Sequence, residues 1–207
     1  MPAKNNDLHG NVPDQCSAAL ILIDVINDME FENGEALLKN ALPAAKKLAA
    51  LKRRAKDAGI PVIYVNDNFG KWRSDFRQQL GHVLNDGVRG QRIAEILRPD
   101  EDDYFVLKAK HSGFYHTQLD LLIDYLRVRT VVLAGFATDM CVLFTASDAY
   151  LRGAAGSFLL RTNSELPTSA VNSQTAKITD VVIWSKLPES VNTHAQIPWN
   201  HTAFRGT

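Results

Sequence analysis

The feature that most constrains the fold is the regular alternation of short apolar runs with longer segments of helical periodicity. The run SAALILIDV at residues 17–25 is nearly continuous in apolar residues, which is typical of a strand buried on both faces of a sheet. Leucine and alanine then recur at helical spacing over residues 34–58, where Gly59 predicts the helix end and Pro43 predicts a start or a kink. This alternation predicts right-handed βαβ crossovers and a parallel sheet covered by helices on both faces.

The same pattern continues along the chain. Strands are predicted at residues 61–66, 103–108 and 130–136, helices at 117–128 and 139–153, and a short helix within the polar loop 66–90. Beyond Gly153 the pattern weakens to two short strands, SFLLR and DVVIW, on either side of a weak helix. We therefore expect a three-layer α/β/α sandwich with a mainly parallel six-stranded sheet whose first strand is central. Residues 1–16 are predicted as an N-terminal arm and 17–207 as a single domain, of which 153–207 follow the pattern poorly.

Composition excludes several function classes. Lys plus Arg and Asp plus Glu both number 23, so no basic excess indicates nucleic acid or an anionic membrane as a partner. No apolar run approaches the roughly 20 residues that span a bilayer, and the polar N-terminus lacks the core of a signal peptide. Cys16 and Cys141 lie too far apart to suggest a disulfide framework. These features predict a cytoplasmic protein that acts on a small molecule.

Three chemically matched residues follow predicted strands. Asp24 ends the first apolar run, Lys108 ends the third strand, and Cys141 lies in the first turn of the helix after the fourth. Each has an ordinary explanation alone, as a helix cap, a surface lysine and a small core residue respectively. Ligands of parallel α/β sheets bind outside the carboxyl ends of the strands, so the three residues together predict one shared crevice.

The combination suits nucleophilic catalysis by a cysteine. A helix N-terminus and the Lys108 ammonium are both expected to lower the pKa of the Cys141 thiol. Asp24 would accept the thiol proton and later deliver it to a leaving amine. Backbone N–H groups near Ala137 and Cys141 would form an oxyanion hole for the tetrahedral intermediate.

These residues carry a family resemblance. The stretches ALILIDVINDM, VLKAKHSGFYHT and GFATDMCVLFTASDAYLRG together resemble the isochorismatase-like cysteine hydrolases, which include nicotinamidases and N-carbamoyl amide hydrolases. The resemblance implies a Rossmann-type topology, an Asp24–Lys108–Cys141 catalytic triad and a thioester-type acyl-enzyme intermediate. It also implies a non-proline cis peptide between Phe136 and Ala137, and a homo-oligomer such as a dimer or tetramer.

The chain departs from the family at the position of a metal site. Nicotinamidases carry an Asp-x-His metal motif after the second strand, whereas the corresponding stretch here is Asn66-Asp67-Asn68-Phe69, without histidine. We therefore predict no bound metal and no cofactor. His82 and His111 are isolated in the sequence and are interpreted as surface or packing residues.

The substrate is the least determined feature. A cysteine nucleophile favours amide, imide or N-carbamoyl chemistry. Loop residues predicted to surround the crevice are Asn27, Phe31, Asn68, Trp72, Phe114 and Tyr115, each of which could instead serve loop packing. Two alternatives to a hydrolase stay open at this point: a non-catalytic binding or interaction member of the same fold, and a thiol redox or transferase protein that uses Cys141.

Overall fold

The computed structural model describes residues 18–32, 34–136, 138–152, 159–161 and 181–185. Its strands are β1 (Ala18–Ile23), β2 (Val62–Asp67), β3 (Tyr104–Lys108), β4 (Thr130–Gly135), β5 (Leu159–Arg161) and β6 (Val181–Ser185). They form one sheet in the order β3-β2-β1-β4-β6-β5. The predicted strands therefore form, and the first lies inside the sheet, between β2 and β4.

The central strand β1 explains why a continuous apolar run was the informative signal. Leu20 and Leu22 pack into the hydrophobic core on one face of the sheet. Ile21 and Ile23 pack into the core on the other face, together with Ala19. Because both faces of β1 exclude water, polar residues at alternate positions would each cost a desolvation penalty.

The helices form a layer on each face. They are α1 (Gly34–Asp57), α2 (Phe76–Asn85), α3 (Gln91–Ile96), α4 (Leu119–Tyr125) and α5 (Leu143–Leu151). The first three contribute to the core that contains Leu20, and the last two contribute to the core that contains Ile21. The chain is thus a three-layer α/β/α sandwich. None of the helices in the described ranges is long and apolar enough to cross a bilayer.

The structure differs from the sequence-based expectation in three places. The pairs β1–β2, β1–β4 and β2–β3 are parallel as expected, but β6 runs antiparallel to β4, and β5 runs antiparallel to β6. Helix α1 forms over Gly34–Asp57 as the pattern predicted and continues through Pro43, so a helix start at the proline, one of the two alternatives, is wrong. Helix α3 was not predicted separately, since its six residues are too few to show a period. The weak helix expected between β5 and β6 lies outside the described residues.

Gly135, at the carboxyl end of β4, has no room for a side chain beside the end of β1. Gly135 has φ of +149°, and a Cβ atom there would lie 2.0 Å from the carbonyl oxygen of Ile23. Any side chain would therefore force the two strands apart. The next amide, from Phe136, donates a hydrogen bond of 2.9 Å to the same Ile23 carbonyl. Gly135 thus permits the close strand approach that precedes the turn carrying Cys141.

Candidate active site

Asp24, Lys108 and Cys141 meet at the carboxyl ends of the parallel strands. Lys108 Nζ lies 2.9 Å from Asp24 Oδ2 and 3.4 Å from Cys141 Sγ. The Asp24 carboxylate is also close enough to the Cys141 thiol to raise its pKa. The Lys108 ammonium therefore lies between the carboxylate and the sulfur, and the three side chains share one site.

Asp24 is positioned by strained backbone directly after β1. Its φ is +52°, a left-handed conformation that is uncommon for non-glycine residues and costs on the order of 1–2 kcal/mol. Its amide donates to the carbonyl of Val65, and its Oδ1 accepts a 2.7 Å hydrogen bond from the Asp67 amide. These two contacts with β2 hold the carboxylate, which is almost fully buried, toward Lys108.

Lys108 ends β3 and has no solvent-exposed side-chain surface. Its ammonium contacts a second carboxylate, Asp67 Oδ2, at 3.4 Å. Burial alone would lower the pKa of Lys108, but attraction to Asp24, Cys141 and Asp67 outweighs burial and raises it. The lysine is therefore a fixed positive charge beside the sulfur. Sequence analysis did not assign a role to Asp67, although its position at the end of β2 could have identified it as a residue of the site.

Cys141 lies in a turn of π-helix, Thr138–Val142, that leads into α5. Such wide turns are rare and are frequent at functional sites. Because the turn follows β4 directly, it places the half-buried thiol above the ends of β1 and β3. A nucleophile at the junction of a strand and a helix must be presented by the turn between them, and this arrangement meets that requirement.

The charge balance around the thiol differs from the sequence-based expectation. Burial raises the pKa of Cys141, the nearby Asp24 carboxylate raises it further, and Lys108 opposes both, with a result of about 12. The expectation of a lowered thiol pKa is therefore wrong, because the desolvation of the site and the carboxylate were not weighed. Burial likewise raises the pKa of Asp24, partly offset by Lys108, Cys141 and Asp67. The resting thiol is protonated and faces a proton acceptor.

A small hydrogen-bond network joins the Cys141 turn to the loop after Lys108. Thr145, fully buried on α5, donates from Oγ1 to the carbonyl of Cys141 at 2.6 Å and accepts from the Gly113 amide at 2.9 Å. Ser112 donates to the Asp148 carboxylate on the same helix and accepts from the Phe114 amide. The stretch Ser112–Phe114 thus fixes the loop after β3 to α5, and this network was not predicted.

His111 was interpreted from sequence as a surface or packing residue, and the structure places it against the nucleophile. Its Nδ1 lies 3.8 Å from Cys141 Sγ, on an exposed side of the site. The imidazole also packs against the Phe144 ring with centroids 5.5 Å apart. Its position three residues after Lys108, in the loop between β3 and α4, was the signal that could have identified it.

Half of the predicted substrate-lining residues border one cavity. Asn68, Trp72 and Tyr115 line a cavity of about 430 Å³ at the ends of β2 and β3, which Lys108 also lines. Asn68 is held there by its amide, which donates to the Lys108 carbonyl at 2.8 Å. Trp72 is 79% exposed at the rim, so its ring is available to a ligand.

The other predicted lining residues have different environments. Asn27 accepts from the Met29 amide at 2.8 Å and so forms a local turn after β1, while Phe31 is partly exposed. Phe114 is buried in the hydrophobic core and makes a cation–π contact with Arg152, 5.0 Å from the ring centroid. Phe136 is buried on the α1 side of the sheet. Ala137, and with it the predicted Phe136–Ala137 cis peptide, lies outside the described residues.

One cluster within the described ranges has side chains that could share a metal ion, namely Asp100, Asp102 and Asp103. All three carboxylates pair with Lys52 or Lys56, whose ammonium groups already supply the positive charge that a metal would bring. The cluster lies before β3, at the strand end opposite Lys108. It is therefore an ion-pair network, and the absence of a metal from the active site stays a prediction.

Known proteins share this architecture. The isochorismatase domain family matches residues 18–156. An uncharacterised isochorismatase family protein of Bacillus subtilis (strain 168), YaaI, is 40% identical over 134 residues, covering 65% of this chain and 73% of its own. The ureidoacrylate amidohydrolase RutB of Methylorubrum extorquens is 25% identical over 167 residues, covering 67% and 66% respectively. The crystal structure of a cysteine hydrolase from Pseudomonas syringae pv. phaseolicola 1448A has the same fold, with a TM-score of 0.51 at 23% identity over 69% of this chain and 70% of that one.

The chain is a three-layer α/β protein with a cysteine at a strand-to-helix junction, and it belongs to the isochorismatase family. Its place among these relatives makes it an enzyme that hydrolyses carbon–nitrogen bonds outside peptides.

Proposed function

We propose that this protein is a cysteine-dependent hydrolase of a small amide, imide or N-carbamoyl compound, with Asp24, Lys108 and Cys141 as its catalytic triad. The observation that carries the proposal is the position of the Lys108 ammonium, which lies 3.4 Å from the Cys141 sulfur and 2.9 Å from the Asp24 carboxylate. A buried structural thiol would have no need of either charged neighbour, since each carries a desolvation cost.

Acylation begins when Cys141 Sγ attacks the substrate carbonyl carbon. The thiol proton passes to Asp24 as the S–C bond forms, so free thiolate need not accumulate despite the raised pKa of the thiol. Lys108 stabilises the negative charge that develops on sulfur. The carbonyl oxygen becomes an oxyanion, and we propose that the backbone N–H of Cys141 donates to it as part of an oxyanion hole.

Collapse of the tetrahedral intermediate breaks the C–N bond. Asp24 returns its proton to the leaving nitrogen, which departs as ammonia or an amine and leaves a thioester on Cys141. Water then attacks the thioester, giving one proton to Asp24. When the C–S bond breaks, that proton returns to the sulfur, and the thiol is restored with every proton accounted for.

An activity screen with mass spectrometry tests the proposal. Small amides, ureas and N-carbamoyl compounds are incubated with the protein while ammonia release is measured and intact mass is recorded. We expect ammonia release from at least one class and an acyl adduct on Cys141. Cys141→Ala should abolish both, and Cys16→Ala, which removes the other thiol, should preserve both.

Other outcomes would favour the alternatives. Selective sulfenic acid formation at Cys141 without ammonia release from any class would favour a redox protein. Saturable binding without an adduct or release would favour a non-catalytic member of the family. Either result would contradict the proposed hydrolysis.

A further inference from the structure

The side chain of Asn66 on β2 continues the pairing with the β1 segment beyond the last backbone pair. The parallel ladder between the two strands ends at Ile23 and Val65, and the chain then turns at Asp24, whose φ is +52°. The Asn66 carboxamide takes the place of a backbone partner, since Nδ2 donates to the Ile26 carbonyl at 2.6 Å and Oδ1 accepts from the Ile26 amide at 3.2 Å. We call these two hydrogen bonds the Asn66 clasp.

The Asn66 clasp satisfies polar groups that are buried. Asn66 and Ile26 are both fully excluded from solvent. Within the ranges that the structure describes, neither backbone group of Ile26 has a hydrogen-bond partner other than Asn66. A buried amide or carbonyl left unpaired is destabilising, so the side chain and this stretch of backbone are strongly tied to each other.

The Asn66 clasp is one of three contacts through which β2 holds Asp24. The Asp24 amide donates to the Val65 carbonyl at 2.9 Å, and the Asp67 amide donates to Asp24 Oδ1 at 2.7 Å. Three consecutive residues of β2 therefore fix the amide of Asp24, the backbone two residues after it, and its carboxylate. A positive φ persists at a non-glycine residue only where the surrounding structure holds it, and the clasp supplies that hold on the carboxyl-terminal side.

We propose that Asn66 is a positioning residue for Asp24: the clasp holds the positive φ of Asp24 and thereby keeps its carboxylate against the Lys108 ammonium. The inference rests on the proposed hydrolase function, in which Asp24 carries the proton. Within the described part of the chain the Asn66 carboxamide bonds only to Ile26, so it acts through Asp24 and not on the substrate.

Tyr64 is a matched control on the same strand. It lies two residues before Asn66, and so on the same face of β2, and it is also fully buried. Its hydroxyl donates to the Leu97 carbonyl at 2.8 Å, at the end of helix α3. Tyr64→Phe therefore removes a buried hydrogen bond from side chain to backbone and keeps the ring, whereas Asn66→Ser disrupts such bonds next to Asp24.

A double-mutant cycle separates positioning from general loosening of the site, and it requires no turnover. Alkylation of Cys141 by iodoacetamide at pH 9 is measured by mass spectrometry in the parent protein, Asn66→Ser, Asp24→Asn and the double variant. Because the Asp24 carboxylate raises the pKa of the thiol, its displacement should speed alkylation. We expect Asn66→Ser to react about tenfold faster than the parent protein, the effect of lowering the thiol pKa by about one. In the Asp24→Asn background the same change should alter the rate by less than about twofold, because the charge through which Asn66 acts is absent.

The control variant and turnover complete the test. Tyr64→Phe should lower the urea midpoint but leave alkylation within about twofold in either background, since its hydrogen bond does not hold Asp24. With the compound that releases ammonia in the activity screen, Asn66→Ser should lower kcat by about 10²-fold and change KM by less than about threefold, as expected for a misplaced catalytic group. If Asn66→Ser does not fold, Asn66→Thr carries the same cycle, because its β-branched side chain suits a strand.

Several results would overturn the inference. Equal acceleration by Asn66→Ser in both backgrounds, no acceleration in either, or an equal acceleration by Tyr64→Phe would each do so. Ammonia release with an unchanged kcat in Asn66→Ser would leave the hydrolase standing and remove the positioning role. The expected alkylation pattern, without ammonia release or an acyl adduct in the parent protein, would keep the positioning role and contradict the hydrolase.

Discussion

A buried lysine lies near each end of strand β3, Lys52 from helix α1 at the amino end and Lys108 of the strand itself at the carboxyl end, and the two ends differ in chemistry. At its amino end the Lys52 cluster comprises Lys52, Lys56, Asp100, Asp102 and Asp103. At its carboxyl end the Lys108 cluster comprises Lys108, Asp24, Asp67 and Cys141. The closest contacts are similar, 2.6 Å from Lys52 to Asp103 and 2.9 Å from Lys108 to Asp24. Burial of a lysine beside carboxylates is therefore not in itself a sign of function.

The two clusters differ in the group that each lysine contacts besides carboxylates. The Lys52 ammonium contacts the Arg98 carbonyl at 2.9 Å and the face of the Tyr64 ring at 5.3 Å, and both of these groups are unreactive. Lys108 instead contacts a thiol, and its carboxylate partner Asp24 has a strained backbone. The comparison shows that the reactive side chains lie at the carboxyl ends of the parallel strands, whereas the amino ends carry stabilising ion-pair networks.

The largest expected effect concerns the thiol, which the Lys52 cluster lacks. Cys141→Ala should lower kcat by more than about 10³-fold, because no other group can form the acyl intermediate. Cys141→Ser should fail comparably, since a hydroxyl is a weaker nucleophile in a site arranged for sulfur. The free energy of unfolding should change by less than about 1 kcal/mol, because the side chain is only half-buried. Steady-state kinetics and urea unfolding check both expectations, and substantial residual turnover in Cys141→Ala would contradict the first.

Exchanging the two lysines for methionine gives the second test. Lys108→Met should lower kcat by about 10²-fold or more, because the charge beside the sulfur is lost. Lys52→Met should leave kcat within about threefold while lowering the free energy of unfolding by about 2–3 kcal/mol, since Asp103 would lose its closest partner. Both quantities are measured for both variants. If Lys52→Met abolished turnover and Lys108→Met did not, the contrast between the strand ends would be wrong.

The comparison of the two ends of β3 also shows which features could be predicted from the sequence. The strands, and the positions of Asp24, Lys108 and Cys141 after them, follow from the apolar runs, because the last apolar residue of a run shows where a strand buried on both faces ends. The antiparallel pairing of β6 could not be predicted, because strand direction depends on the path of the intervening chain. The raised pKa of Cys141 depends on burial and on the nearness of Asp24, and neither distance nor burial can be read from one sequence.

A smaller effect is expected from the network that supports the active-site end. Thr145→Val should lower the free energy of unfolding by about 1–2 kcal/mol, because the Gly113 amide would be buried without its partner. Since the Cys141 turn would lose its tie to the loop after Lys108, kcat should fall by about tenfold. Thr145→Ser retains the hydroxyl and should restore kcat to within about threefold. Equal loss of kcat in both variants would show that packing of the methyl group, not the hydrogen bond, positions the turn.

The smallest expected effect concerns His111. His111→Gln should lower kcat by about three- to tenfold, because the imidazole contacts Cys141 Sγ from the solvent side but is not one of the three proposed catalytic residues. His82→Gln, which alters a surface histidine paired with Asp86, should change kcat by less than about twofold. Free imidazole added to the His111→Gln variant should recover part of the loss, since this side of the site is exposed. A loss as large as that of Cys141→Ala would place His111 within the essential machinery instead.

The raised thiol pKa also has a consequence for stability. The folded-state pKa of Cys141 lies near 12, above its ordinary value of 9.0. Above pH 9 the native state therefore binds more protons than the unfolded state, and the free energy of unfolding should fall as the pH rises through this window. The thiol contributes no such slope in Cys141→Ala, so unfolding measured between about pH 8 and 10 should separate the two proteins.

The most direct test of the central claim, that Asp24 faces a protonated thiol as its proton acceptor, is a titration of Cys141 by thiolate absorbance in the ultraviolet. It is performed in a Cys16→Ala background with Cys141→Ala as the blank, so that the difference signal comes from Cys141 alone. We predict little thiolate at about pH 9 in the parent protein, and a lower midpoint in Asp24→Asn, because the charge that opposes ionisation is removed. Turnover should nevertheless be lost in Asp24→Asn, which has a more ionised sulfur but no proton carrier. A thiolate half-formed near neutral pH in the parent protein, or a midpoint unchanged by Asp24→Asn, would contradict the account.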